Sequence, residues 1–232
     1  MAASKNAKGL AVALAGLDPA DRLLGAEINS IRSMRAYGYL DANEYVRFLV
    51  SDTENGRLTG QILKFYYRRH QNPYRFREVD IRVIEDLRDD DVGRFKNQGL
   101  RNLVRLIADT VRYFGVERVL INATGGYKAQ ISFAGMIGMA LGLPVYYLFE
   151  RFSQVIELPP QPVAWDLSLW LENTALFYEL DEGLLTGDPG FVIDGRLTAL
   201  VDRIEEDGRF LVLLSAAGQL FHTAFRFRFQ RQ

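Results

Sequence analysis

An α/β fold, with a Rossmann-like and mostly parallel sheet carrying helices on both faces, is what three features of the 232-residue sequence predict. Short β-rich apolar runs alternate with helical stretches of crossover length. Glycines and prolines punctuate them, and 48% hydrophobic residues suffice for one full core. Parallel neighbours require such crossovers, because a tight turn joins only antiparallel strands. A small C-terminal, helical and winged-helix-like appendage is predicted to follow.

In chain order, Gly9-Leu10-Ala11-Val12-Ala13-Leu14-Ala15-Gly16 fits either a strand or a helix. Asp21 to Tyr37 places Leu23, Leu24, Ile28, Ile31 and Met34 at helical spacing behind Asp18-Pro19. Tyr45-Val46-Arg47-Phe48-Leu49-Val50 reads as a strand stopped by the turn chemistry of Ser51-Asp52-Thr53-Glu54-Asn55-Gly56. Leu58 to His70 is a second helix, Glu78 to Ile84 a strand, and Asp91 to Phe114 a long helix closed by Gly115. Next come the strand Arg118-Val119-Leu120-Ile121-Asn122, a Gly-Gly turn, a helix from Tyr127 to Leu141 and a strand from Pro144 to Phe149. Gln154 to Leu158 adds a short strand before the breaker cluster Pro159-Pro160-Gln161-Pro162. That cluster divides the chain into a ligand-binding domain, residues 1–160, and the appendage, residues 161–232. Helices over Leu167 to Leu180 and Asp194 to Glu206, a strand over Arg209 to Leu214 and a helix over Ala216 to Phe229 are predicted in the latter.

Composition narrows the function. A formal charge of -1 and a pI near 6.2 offer no global polycation, so a polyanion must be gripped locally and duplex DNA is not the expected partner. The absence of cysteine excludes disulfides, thiol catalysis and cysteine-based zinc or iron-sulfur sites. No apolar run approaches the ~18 residues of a membrane span, and the N-terminus lacks a signal-peptide pattern. A cytoplasmic location without membrane partners is the expectation.

The ligand crevice of an open parallel sheet lies beyond the carboxyl ends of its strands. Two loops qualify by position. In Asn122-Ala123-Thr124-Gly125-Gly126-Tyr127-Lys128 the glycines allow close backbone approach, and the following helix aims free amides and its positive dipole end at the same point. Lys128 adds a full charge and Thr124 a hydroxyl, which suits a phosphate. Ser51, Asp52 and Thr53 in the other loop offer partners for a ribose or an adenine edge. They serve equally well as an ordinary capped turn. Asn122, Thr124, Gly125, Gly126, Tyr127 and Lys128, with Ser51, Asp52 and Thr53, are the candidate ligand-binding residues.

Other features carry less. His70 closes a helix beside Arg68 and Arg69, and His222 lies between Phe221 and Phe225, neither with a partner at metal or catalytic spacing. Asp89-Asp90-Asp91 reads as a helix start rather than a metal cluster. Phe225-Arg226-Phe227-Arg228-Phe229 fits core plus solvated face better than a nucleic-acid stacking platform. A P-loop, a Gly-x-Gly-x-x-Gly and a Gly-x-Ser-x-Gly elbow are all missing, which argues against standard nucleotide hydrolases and dinucleotide dehydrogenases. No cofactor and no metal are expected.

Val119 to Ile131, with its Asn-x-Thr-Gly-Gly-x-Lys segment, then Leu143-Pro144-Val145-Tyr146-Tyr147-Leu148-Phe149-Glu150 and Val155-Ile156-Glu157-Leu158-Pro159-Pro160, resemble the CARF domains, the CRISPR-associated Rossmann folds. Ala26-Glu27-Ile28 and Ser51-Asp52-Thr53 match further points, so the resemblance runs from Ala26 to Asp166. It implies a homodimer that binds cyclic oligoadenylate, most often the four-adenosine ring, across its two-fold axis: a sensor in type III CRISPR defence. The ring nuclease-like branch is the nearest. There a Gly-Thr-Ser-Leu-Leu-Thr-Asn type loop after the first strand supplies a serine that, with the lysine matching Lys128, is implicated in cutting the ring. This sequence has no such loop. Lys128 is therefore the candidate catalytic residue only in the alternative of a metal-independent ring nuclease. A ligand-responsive DNA-binding regulator is a further alternative, and an effector domain beyond Gln232 is left open.

Overall fold

The structure, a computed structural model, describes residues 2–40, 45–159, 164–186, 194–206 and 209–229. Helices α1 (Ala2–Leu14) and α2 (Ala26–Ala36) precede β1 (Tyr45–Ser51), α3 (Glu54–Arg68) and β2 (Glu78–Ile84). The short α4 (Val92–Arg94) runs through a π-helical turn, Phe95–Gly99, into α5 (Leu100–Phe114). Then follow β3 (Ile121–Asn122), α6 (Lys128–Leu141), β4 (Val145–Tyr147) and β5 (Ile156–Glu157). The C-terminal region comprises α7 (Leu167–Glu172), α8 (Thr174–Glu182), β6 (Leu184–Thr186), β7 (Val201–Glu206), β8 (Arg209–Leu214) and α9 (Ala216–Phe229).

Periodicity explains the central helix. Leu100, Leu103, Val104, Ile107, Ala108 and Val111 recur at helical spacing on α5 and are all buried, and Gly115 at φ 87° stops the helix. Their cluster takes in Ile84 of β2, Ile137 and Leu141 of α6, and Ala216 and Leu220 of α9, with Leu49 of β1 and Ile121 of β3 packed against it. A second cluster seats Ala11 of α1 and Ile28 and Ile31 of α2 against Leu63, Tyr66 and Tyr67 of α3 and Phe48 and Val50 of β1.

Three small sheets hold the strands. β1 and β2 pair in parallel from Tyr45 opposite Glu78 to Ser51 opposite Ile84. β3 and β4 are parallel, β5 is antiparallel to β4, and β6-β8-β7 form an antiparallel sheet. One continuous sheet was expected; among the described residues the backbone pairing leaves two parallel pieces. The N-terminal segment takes its helical option as α1 and lies along α3.

Several elements differ from the periodicity. No helix forms over Asp194 to Glu206: a 3-10 turn, Gly195–Leu200, leads into β7, whose Val201 to Glu206 pair residue by residue with Leu214 to Arg209 of β8. The ladder along β8 outweighs the helical spacing of the apolar residues, as tertiary pairing commonly overrides local preference. The helix expected from Leu167 to Leu180 breaks at Asn173, which separates α7 from α8. That expected from Asp91 is interrupted by the π-helical turn. α3 starts four residues before Leu58, at Glu54, because Thr53 caps it.

Candidate ligand-binding site

The loops after β1 and β3 meet. The Tyr127 phenol lies beside Ser51 and Asp89, and its ring stands edge-on to Phe95 of the π-helical turn, centroids 5.4 Å apart. Burial, with Asp89 beside it, pushes the phenol above its ordinary value. Ser51 is therefore part of the wall of the β3–α6 loop.

The glycine turn is shaped by its neighbours. Gly126 has φ 104°, a region side chains avoid, and the Tyr127 amide donates to Gln130 Oε1 at 2.8 Å, which fixes the entry into α6. A β-carbon on Gly125 would collide with the Glu27 carboxylate in the first turn of α2. Lys128 is exposed, and among the described residues its side chain forms no hydrogen bond or ion pair. A lysine at a helix N-terminus opposes the dipole. Its unpaired charge beside free helix amides makes the loop attractive to an anion.

Two of the expected binding residues brace the loop. Asn122 Nδ2 donates to Ser30 Oγ of α2 at 2.7 Å, and Asn122 Oδ1 accepts from the Thr124 hydroxyl at 2.6 Å. Thr124 Oγ1 in turn accepts the Leu148 amide after β4 at 3.1 Å. Ser33 Oγ accepts the Val155 amide at 2.8 Å, so α2 ties together the ends of β3 and the loop after β4.

The β1–α3 loop spends its groups internally. Thr53 Oγ1 accepts the Gly56 amide at 3.0 Å as the cap of α3 and contacts Ser51 Oγ at 3.0 Å. Asp52 pairs with Arg57 at 2.5 Å and accepts the Asp86 amide at 3.3 Å. The Arg57 hydrogen bond holds its carboxyl below the usual range. Of these residues, Ser51 lies beside Tyr127 of the glycine loop.

Glu27 and Asp89 escaped the sequence as site residues. Glu27 sits within a matched segment, yet an acidic residue in the first turn of a helix reads simply as a dipole complement. Asp89 lies in the run that prefigured a helix start, and Asp91 does cap α4 by accepting the Arg94 amide at 3.0 Å.

His222 is completely buried in the C-terminal region. Its Nδ1 accepts the Trp170 indole N–H at 3.1 Å, and burial lowers its pKa to about 4. Among the described residues no three His, Asp or Glu side chains gather as metal ligands, and no helix is long and apolar enough to cross a membrane.

A family model described as CRISPR-associated protein (Cas_APE2256) matches residues 22–161, more than half of the chain. No curated protein matches the sequence.

Proposed function

The chain belongs to this Cas_APE2256 family of CRISPR-associated proteins, and on that premise we propose that it is a cyclic oligoadenylate sensor whose ring spans a homodimer. The carrying observation is the exposed Lys128, without an ion-pair partner among the described residues, beside the Gly125-Gly126 turn at the start of α6, with Tyr127 of that turn beside Ser51. Lys128 and the loop amides contact phosphate. Ser51 and Tyr127 form the wall, while Asn122, Thr124, Asp52 and Thr53 hold the two loops in shape. Residues 1–160 are the ligand-binding domain of this proposal.

Ring symmetry supports the dimer. An even-numbered cyclic oligonucleotide has its own two-fold axis, so an isologous dimer presents the same loop to opposite phosphates.

The test is incubation with labelled cyclic tetra-adenylate, followed by binding measurement and chromatography of the ligand. A sensor binds at micromolar concentration or tighter and returns the ring intact. Linear products that persist with a metal chelator would make it a ring nuclease, with attack by a ribose 2′-hydroxyl on its adjacent phosphate and Lys128 stabilising the charge. Failure to bind any cyclic oligoadenylate would overturn both.

A further inference from the structure

The loop after β4 displays two phenyl rings to solvent. Phe149 is 41% exposed and Phe152 52%, and they touch edge-to-face with centroids 5.2 Å apart. Phenyl side chains ordinarily seek burial, and a pair held together in water invites a flat apolar partner. The loop that carries them is anchored. At one end the Leu148 amide is held by Thr124 Oγ1 at 3.1 Å, and at the other the Val155 amide is held by the buried Ser33 at 2.8 Å. Between the anchors the Phe152 amide closes a turn onto the Phe149 carbonyl at 2.9 Å. The rings are thus presented by a short, braced segment.

Position gives the pair its meaning. β3 and β4 are parallel neighbours, so the glycine loop and the phenyl turn leave the sheet at the same edge. Phe149 follows directly on Leu148, whose amide is bonded to the glycine loop's own Thr124. The phenyl turn is thus the chain neighbour of the proposed phosphate loop across the ends of β3 and β4. Phenyl faces accept nucleobases by stacking, and purines offer the larger π-surface. We propose that Phe149 and Phe152 form a purine-stacking subsite, one per protomer, that takes an adenine of the ligand. This rests on the glycine loop being the phosphate site.

Full-length wild type and a Phe149→Leu/Phe152→Leu variant should be titrated with cyclic tetra-adenylate and with the same ring carrying 2-aminopurine. Leucine keeps apolar bulk and removes the π-face. The expected result is a loss of about five- to a hundredfold in affinity per lost stack, with 2-aminopurine quenching abolished. The salt dependence of binding stays that of wild type, because no phosphate contact is touched, whereas Lys128→Ala flattens it. Unchanged affinity and unchanged quenching in the variant would overturn the subsite while leaving the phosphate loop standing. A variant that sediments as a monomer where wild type is a dimer would assign the phenyls to a second copy of the chain, and overturn it too. Wild type that fails to bind the ring would instead remove the sensor reading itself.

Discussion

At the strand-end loops Lys128 stands exposed and without an ion-pair partner among the described residues, whereas Asp181 at the seam between α5 and the C-terminal region is ringed by arginines. Arg105 Nη2 meets Asp181 Oδ1 at 2.6 Å and Arg226 Nη1 meets Oδ2 at 3.0 Å. Arg101 donates to the Asp181 carbonyl at 2.7 Å, and Arg101 and Arg105 share Gln219 Oε1. Burial, with Arg105 nearby, lowers the Arg101 pKa to about 10. Both sites hold charge at an element boundary, yet one leaves it unanswered and the other answers it from several helices. Unanswered charge costs folding little when solvated and is ready for a ligand; answered charge fixes how helices sit together.

Removing each charge should therefore strike different observables. For Lys128→Ala the loss of a charge-assisted hydrogen bond costs ~1.5–3 kcal/mol, and it occurs twice in a two-fold complex. Cyclic tetra-adenylate binding should weaken by roughly two to four powers of ten. The melting temperature should barely move, because the lysine supports neither core nor dipole. Titration and a thermal melt on the same preparation check both halves, and a mutant binding as wild type would take the loop out of the site.

Asp181→Ala should do the reverse. It leaves three guanidinium groups facing one another, and breaking such a pair costs about 3 kcal/mol, the low end for buried pairs because the Arg105 side chain keeps 38% exposure. In a chain of this size the melt should fall by roughly 6–12 °C. Ring binding measured below that transition should be unchanged. A matching loss of affinity would show the two regions to be coupled, and the structure offers the route: Phe95 packs on Tyr127, and the adjacent Lys96 reaches Asp202 of β7 at 3.8 Å.

Legibility in the sequence followed the same division. β2, α9 and β8 were readable to the residue because their apolar patterns are long and their borders carry strong signals. The glycine turn and the start of α6 were readable because their signals are contiguous in the chain. Glu27, Asp89 and the phenyl pair were not, since each acquires its meaning from a neighbour distant in sequence. β7 was misread for the same reason: Val201 and Ile204 suit a helix face as well as a strand, and β8 decides between them.

His222 sharpens the comparison through pH. Its pKa is about 4 in the folded protein and near 6.5 when exposed. The unfolded chain therefore takes up the proton first, so stability is fully present above pH 6.5 and is lost as pH falls toward 4. Between pH 7 and 5 this amounts to about 2 kcal/mol. His222→Gln keeps an acceptor for the Trp170 indole and should flatten that part of the stability curve. Denaturant titrations of both proteins at the two pH values measure it, and parallel curves would exclude His222 as the source.

The smallest effect expected is that of Thr53→Ala, and it probes the comparison within the site itself. Thr53 is held by the Gly56 amide at 3.0 Å and by Ser51 at 3.0 Å, so its hydroxyl already has the partners a cap requires. Losing the cap costs about 1 kcal/mol and should lower the melt by roughly 2–4 °C, with Thr53→Ser restoring most of it. Affinity for cyclic tetra-adenylate should follow only the slight loosening of Ser51 beneath Tyr127, well under tenfold. A tenfold or greater loss at unchanged stability would place the Thr53 hydroxyl on the ligand, and the β1–α3 loop would then join Lys128 among the groups the fold leaves free.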